Sequence, residues 1–132
     1  IGGASPILKL TEEQSEVLEK KLNQNQLVDE YKCFVVMRCW HPRASEVIKN
    51  VQLYNPDEVI LMPLYPQYSA ATTASIFDKV TSEIKNWRNI PDIRFLSTYH
   101  DNPHYNIHEI ILQVLTCTYV HVYMILLDYN IR

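Results

Sequence analysis

The chain has 132 residues, of which 47% are hydrophobic and 20% are charged, and its formal net charge at pH 7 is −3. This length suits one domain, the apolar content argues against disorder, and the slightly acidic balance argues against a nucleic-acid footprint. The three cysteines are scattered, and Cys33 and Cys39 would lie about 20 Å apart on one predicted strand, too far for a disulfide. Such a set is typical of a reducing compartment.

Apolar patterning predicts alternating helices and strands along most of the chain. Thr11, with Gln14 three residues later, forms a capping-box pattern that predicts the start of an amphipathic first helix. The alternation predicts an α/β fold, a three-layer sandwich with a mainly parallel sheet and right-handed crossovers. The predicted strands are 32–38, 58–64 and 92–98, and the predicted helices are 11–25, 43–53, 73–88 and 104–115.

The most informative stretch is the apolar run 59–64 and the turn that follows it. A run of this kind is typical of a central strand covered on both faces, and prolines 63 and 66 end its hydrogen-bonded ladder. Ser69, Thr72 and Thr73 are candidate N-caps for the next helix. Tyr65 and Tyr68 offer flat apolar faces with hydroxyl tips, which suit a planar ligand with polar edges. The alternative is that the tyrosines only pack and the hydroxyls only cap.

Ligands of open α/β sheets bind at the carboxyl ends of the strands, which places this turn at the expected site. Hydroxyl groups and free N–H groups at a helix start favour a carboxylate or a phosphate. Arg38 ends the preceding predicted strand and can hold a carboxylate by a two-pronged contact. These residue types suit an anionic, planar ligand at this edge, but the residues alone favour the alternative in which they only pack and cap.

Histidines offer only a weak metal signal. His41 precedes a proline and is interpreted as a loop residue. His100, His104 and His108 are spaced by four, but Pro103 places His100 before the predicted helix and off its face. A solvent-facing pair, His104 and His108, is favoured over a two-ligand metal site.

Three motifs, in the same order along the chain, resemble those of ferrochelatases, the enzymes that insert iron into porphyrins. Residues 1–7, IGGASPI, resemble the glycine-rich IGGGSPI segment of that family. Residues 37–42, MRCWHP, resemble its arginine–aromatic–His-Pro strand end. Residues 64–69, LYPQYS, with the following Thr72 and Thr73, resemble its signature loop. The resemblance extends from residue 1 to about residue 105.

The resemblance implies a chelatase-like fold, half of a two-domain ferrochelatase, with a porphyrin held between the halves. It implies an enzyme of the lyase class in heme biosynthesis that inserts ferrous iron into protoporphyrin IX or coproporphyrin. Ala70 stands where iron–sulfur members have cysteine, so no iron–sulfur cluster and no other cofactor is expected. The implied porphyrin-binding residues are Ser5, which would contact a propionate, Arg38, Tyr65, Tyr68 and Ser69.

The same resemblance implies that this chain is incomplete as a catalyst. The family assigns metal handling and proton removal to a histidine and a glutamate in its second half, so no catalytic and no metal-binding residue is predicted here. Residues 1–105 are expected to form the N-terminal domain without its first strand, and 106–132 an unmatched hydrophobic tail. Positions 119–127 in that tail are β-prone and almost uncharged. An out-of-frame extension of a truncated gene would explain such a tail.

Three functions remain open: an active ferrochelatase or its fragment, a non-catalytic porphyrin-binding module, and a decayed remnant without a ligand. An unrelated flavodoxin-like domain is the fourth alternative, and it would require three accidental motif matches. The expected partners are porphyrin and ferrous iron, with a missing C-terminal half as a separate chain, peripheral membrane association and no nucleic acid. The expected location is the cytoplasm, with the mitochondrial matrix as the alternative.

Overall fold

A computed structural model describes residues 5–24, 29–102 and 121–129, and the side chains of all of these except 29 and 121–129. Three helices and four strands are defined, together with one turn of π-helix. In chain order they are α1 (Ile7–Asn23), β1 (Asp29–Met37), α2 (Ala44–Tyr54), β2 (Glu58–Pro63), the π-helical turn (Ala70–Ala74), α3 (Ser75–Ile84), β3 (Asp92–Phe95) and β4 (His121–Tyr129). The strands form one sheet in the order β1-β4-β2-β3.

Three of the four strands run in the same direction. β2 and β3 pair in parallel, and β4 pairs antiparallel with both β1 and β2, so β1 is also parallel in direction to β2. The predicted α/β fold and the three predicted strands are confirmed. The sequence did not predict β4, which makes the sheet mixed. It lies between β1 and β2, where the first residue of β4, His121, pairs with the last residue of β1, Met37.

Side chains that alternate along the strands build a separate core on each face of the sheet. On one face, Val36, Val59 and Leu61 belong to a buried cluster with the inward sides of α2 and α3. On the other face, Cys33 and Met37 are packed against the apolar side of α1. The result is the predicted three-layer sandwich, with α1 on one face and α2 and α3 on the other.

The predicted start of the first helix at Thr11 is wrong, because α1 begins four residues earlier, at Ile7. Pro6 directly precedes the helix, and proline suits a helix start because its missing N–H group would be unpaired there anyway. Thr11 is buried inside α1, and its hydroxyl donates a hydrogen bond of 2.7 Å to the Ile7 carbonyl oxygen. The extra turn brings Ile7 and Leu8 onto the sheet.

The remaining boundaries of the described elements differ from the predicted ones by four residues or fewer. α2 covers Ala44–Tyr54 against the predicted 43–53, and β3 ends at Phe95, three residues before the predicted end. The helix predicted at 73–88 is preceded by the π-helical turn, and as an α-helix it covers only Ser75–Ile84. The helix predicted at 104–115 lies outside the described residues.

The amide of Asn23 fastens the end of α1 to the start of β1. Its Nδ2 donates to the carbonyl oxygens of Glu19 and Tyr31 at 2.9 and 2.8 Å, and its Oδ1 accepts from the Tyr31 N–H at 2.8 Å. Glu19 Oε2 accepts from the Cys33 N–H at 2.8 Å. These bonds make α1 antiparallel to β1, with the start of the helix at the carboxyl edge of the sheet.

Replacing Asn23 by alanine should lower the free energy of unfolding by about 1–3 kcal/mol, because the half-buried groups of Tyr31 lose their partners. Urea unfolding followed by circular dichroism measures the change. Asn50→Ala is the matched control, since it removes the same amide from an exposed position of α2. Equal effects of the two substitutions would contradict the role given to Asn23.

Candidate functional site

The five residues predicted to bind a porphyrin lie at one edge of the sheet. Arg38 directly follows β1, and positions 65, 68 and 69 follow β2, which runs in the same direction. Ser5 precedes α1, whose start lies at this same carboxyl edge. The structure therefore brings the predicted residues to the expected side of the sheet, and their binding role stays a prediction.

The five residues differ in how available they are. The Arg38 side chain is exposed and has no hydrogen bond or ion pair with any residue in 5–24 or 30–102. Tyr68 is 58% exposed, whereas Tyr65 is half-buried and packs against the core under α2 and α3. Ser5 is exposed, and its hydroxyl oxygen accepts a long bond of 3.4 Å from the Ile7 N–H. Ser5, Arg38 and Tyr68 are thus the exposed members of the set, and Tyr65 and Ser69 are half-buried.

The segment after β3 holds the turn in place, a role that sequence reasoning missed. Pro66 offers one carbonyl oxygen to three donors: the Thr98 hydroxyl at 3.2 Å and the N–H groups of Tyr99 and His100 at 2.9 and 3.1 Å. The Tyr99 hydroxyl also donates to the Pro63 carbonyl oxygen at 3.0 Å. No spacing in the sequence signals these contacts, because donor and acceptor are more than thirty residues apart.

His100, considered above as part of a metal site, is instead a member of this loop. Its Nδ1 lies 2.8 Å from the Thr98 hydroxyl oxygen. His104 and His108 lie outside the described residues. In the part of the chain that the structure describes, no three His, Cys, Asp or Glu residues form a group that could hold a metal ion.

Ser69, Thr72 and Thr73 do not cap the helix as predicted. Ser69 precedes the π-helical turn without a side-chain capping bond, and its N–H donates at 3.4 Å to the hydroxyl oxygen of Thr73, inside that turn. The Thr72 hydroxyl oxygen is buried and has no partner among the described residues. Ser75, which begins α3, donates to the carbonyl oxygens of Ala71 and Thr72, each at 3.0 Å. A wide turn thus replaces the expected capped α-helical start.

The loop after β1 is closed at its base and supported by α2. The Met37 N–H donates to the Pro42 carbonyl oxygen at 2.8 Å. Glu46 accepts from the Arg43 N–H at 3.1 Å and lies 2.9 Å from Nδ1 of His41. Both hydrogen bonds lower the pKa of the Glu46 carboxyl group. The bond with the His41 side chain has the larger effect, and the bond from the Arg43 N–H has the smaller one. His41 is a loop residue, as interpreted from the sequence, and it supports the loop that carries Arg38.

Cys33 and Cys39, the cysteines within the described residues, should be alkylated at very different rates. Cys33 is buried, and burial, with the charge of Glu19 as a second cause, raises the pKa of its thiol to about 11. At pH 8 only about one Cys33 thiol in a thousand is ionised, and the thiolate is the nucleophile. Cys39 is exposed beside Arg38. Iodoacetamide should label Cys39 far faster, as peptide mass spectrometry can measure, and equal rates would contradict the described burial.

Two shallow pockets lie near the edge of the sheet opposite the candidate site. One, of about 400 Å³, is lined by residues at the starts of β2 and β3, among them Asn55, Asp57 and Pro91. The other, of about 460 Å³, is lined by residues at the end of α1, among them Glu19 and Asn23. In the described ranges no helix is both long and apolar enough to cross a membrane.

Known proteins similar to this chain share its N-terminal part. The family model for ferrochelatase matches residues 1–114. The ferrochelatase of Pelagibacter ubique is 62% identical over 90 residues, which cover 68% of this chain and 24% of that protein. The ferrochelatase of Wolbachia sp. subsp. Drosophila simulans is 45% identical over 102 residues, which cover 77% of this chain and 32% of that protein. The chain thus spans a quarter to a third of the length of these curated relatives, and no solved structure matches it significantly.

Proposed function

We propose, since the chain belongs to the ferrochelatase family, that it supplies the N-terminal wall of a porphyrin site in heme biosynthesis. The reaction of the whole site is the lyase-class insertion of ferrous iron into protoporphyrin IX or coproporphyrin. The observation that carries the proposal is the edge of the sheet where an exposed Arg38 and an exposed Tyr68 follow β1 and β2, two strands that run in the same direction on either side of β4. Iron is a substrate of this reaction, and no resident cofactor is proposed.

Each residue has a distinct part in this proposal. The Arg38 guanidinium pairs with a porphyrin propionate, for which its planar fork of donors is suited. Tyr68 offers its ring face to the macrocycle, and the hydroxyls of Ser5 and Ser69 bond to propionate oxygens. Tyr65 supports the turn from below, because it is packed against the core. The exposed side chains of Arg38 and Tyr68 at this edge suit a flat ligand that a second wall would cover.

A non-catalytic porphyrin-binding module is the second candidate. It is favoured by the same contacts, because they can position a ligand but include no group to take protons from the pyrrole nitrogens. In the active alternative, a separate chain supplies the C-terminal half. We place either form in the bacterial cytoplasm, with the mitochondrial matrix as the alternative, in peripheral contact with a membrane and without nucleic acid.

Replacing Arg38 by alanine should weaken porphyrin binding by about 1.5–3 kcal/mol, which is roughly 10- to 150-fold in Kd. The range is that of a hydrogen bond to a charged group. A titration followed by porphyrin absorbance and tyrosine fluorescence measures Kd at constant salt. Arg88→Ala is the matched control, because Arg88 is an exposed arginine that lines the cavity near the opposite edge.

Two outcomes would contradict the proposed site. If the two arginine variants weaken binding equally, the porphyrin is held by general surface charge or hydrophobicity. If the unchanged protein binds no porphyrin at all, the chain is a remnant without a ligand. Protection of the exposed Cys39 from alkylation on adding porphyrin gives an independent check of where the ligand lies.

A further inference from the structure

β1 is the longer of the two edge strands of the described sheet. The other edge strand, β3, has only four residues, and two of them, Asp92 and Arg94, are charged and exposed. Short length and charged side chains both protect a strand edge against pairing with another chain. β1 has nine residues, and its second half, residues 33–37, carries no charge. The protection of its outer edge must therefore come from other parts of the chain.

The hydrogen bonds of β1 show which of its backbone groups lie at that outer edge. In an antiparallel pair, alternate residues turn their N–H and C=O groups toward the partner strand, and the residues between them turn both groups away. The N–H groups of Tyr31 and Cys33 donate to side chains of α1, and that of Met37 donates to the loop after β1. These three residues therefore face away from β4. Val35 belongs to the same alternation, so its N–H and C=O groups also point outward.

Two side chains of α1 occupy the outer edge. Asn23 bonds both backbone groups of Tyr31, its N–H and its carbonyl oxygen, each at 2.8 Å. Glu19 accepts from the Cys33 N–H at 2.8 Å with Oε2, while its Oε1 lies 3.0 Å from Nζ of Lys32. α1 packs on the face of Cys33, and the side chain of Lys32 leaves the opposite face. A carboxylate of α1 that reaches both lies beyond the edge itself, where a further strand would have to lie.

We propose that the outer edge of β1 over residues 31–35 is a pairing surface for the same edge of a second copy of this chain, and that Asn23 and Glu19 keep it closed. A second copy suits this edge because it brings an edge of the same length and the same apolar composition. Two identical strands pair antiparallel about a two-fold axis, so that every contact occurs twice. The two side chains of α1 fill the space of the second strand, and pairing requires them to leave it.

The bond that remains at the end of β1 fixes the register of such a pair. The Met37 N–H stays bonded to the Pro42 carbonyl oxygen at 2.8 Å, which leaves the outward groups of residues 31, 33 and 35 for the second copy. A ladder of these three residues is centred on Cys33. It places Tyr31 of each copy opposite Val35 of the other.

Sedimentation velocity of the full chain at several concentrations tests the proposal. The double variant Glu19→Ala/Asn23→Ala should form dimers at least about tenfold more tightly than the unchanged chain, because the freed backbone groups gain partners. Glu16→Ala/Gln24→Ala is the matched control, since it removes the same carboxylate and amide groups from exposed positions. This control should associate no more than the unchanged chain does. Equal association of the two double variants would overturn the proposal.

Loss of stability is the competing explanation for association, because partly unfolded chains also associate. Leu61→Ala removes a core side chain of β2 and leaves the outer edge of β1 intact. Association of this variant as tight as that of Glu19→Ala/Asn23→Ala would overturn the proposal. If circular dichroism shows that the double variant does not fold, Glu19→Ala alone decides, because Asn23 still fastens α1. This single variant should also dimerise more tightly than the unchanged chain, and unchanged association would overturn the proposal.

Amide hydrogen exchange measured by NMR gives a pattern that is specific to a strand pair. In the double variant, the amides of residues 31, 33 and 35 should exchange at least about tenfold more slowly in concentrated than in dilute protein. The amides of residues 32, 34 and 36 are turned toward β4 and should not change. An equal change in both sets of amides would indicate association without a β1 ladder and would overturn the proposal.

Discussion

Purified chain mixed with porphyrin and ferrous iron is expected to form metalloporphyrin no faster than the non-enzymatic reaction does. Insertion requires a base that removes the pyrrole protons and a set of ligands that delivers the iron. The family resemblance assigns both to a second half, and this chain spans only 24% of the Pelagibacter relative. Removing a general base alone typically slows a reaction by about 10²–10⁴-fold. Positioning at Arg38 and Tyr68 cannot replace it.

The assay is anaerobic and follows the metalloporphyrin absorbance with time. Heat-denatured chain gives the baseline, because it has the same composition without the folded site. Turnover above this baseline that survives Arg38→Ala and replacement of both loop tyrosines would defeat the argument. Turnover that those substitutions abolish would instead make this chain a catalyst with groups not yet assigned to it.

Replacing Leu61 by alanine should produce a large loss of stability, about 2–5 kcal/mol in the free energy of unfolding. The Leu61 side chain is 0% exposed and lies in the cluster formed by the sheet with α2 and α3. It stands in β2, with β3 paired on one side and β4 on the other. Truncation removes apolar contacts and leaves a cavity that rigid neighbours on three sides cannot fill.

Urea unfolding of the two proteins measures the difference, and the control is Leu53→Ala in α2. Leu53 is 83% exposed, so the same truncation there should change the free energy by no more than about 0.5 kcal/mol. A small effect at Leu61 would mean that the core around β2 is loosely packed. Equal losses at Leu61 and Leu53 would contradict the described burial of both.

Local sequence patterns were sufficient to predict the three strands that run in the same direction and to recognise the resemblance to the family. Apolar runs at 32–38 and 58–64 locate β1 and β2 to within about three residues. A buried strand can be predicted in this way because its apolar run is visible in the local sequence alone. The start of α1 was missed because a capping-box pattern at Thr11 competes with Pro6, and the packing of Ile7 and Leu8 on the sheet decides the outcome. The resemblance to ferrochelatases is confirmed over residues 1–114.

What the sequence did not predict depends on contacts between distant parts of the chain. Positions 119–127 were recognised as β-prone, but the pairing of β4 (His121–Tyr129) between β1 and β2 depends on strands more than fifty residues away. The hydrogen bonds from residues 98–100 to the Pro66 carbonyl oxygen likewise cannot be predicted from the spacing of residues in the sequence. Arg38 and the turn after β2 could be placed at one edge because each immediately follows a strand, a relation that is local in sequence.

The π-helical turn makes the geometry of the site depend on chain length. A π-helical turn holds more residues than an α-helical one, and each α-helical residue advances the chain by about 100° around the axis. Deleting one exposed residue of the turn, such as Ala71, would rotate the residues that precede the turn around the helix axis, relative to the buried face of α3. Tyr68 would then point away from its present direction, although no residue of the site had been altered. Insertions and deletions between Pro66 and Ile76 should therefore be tolerated less well than substitutions at the same positions.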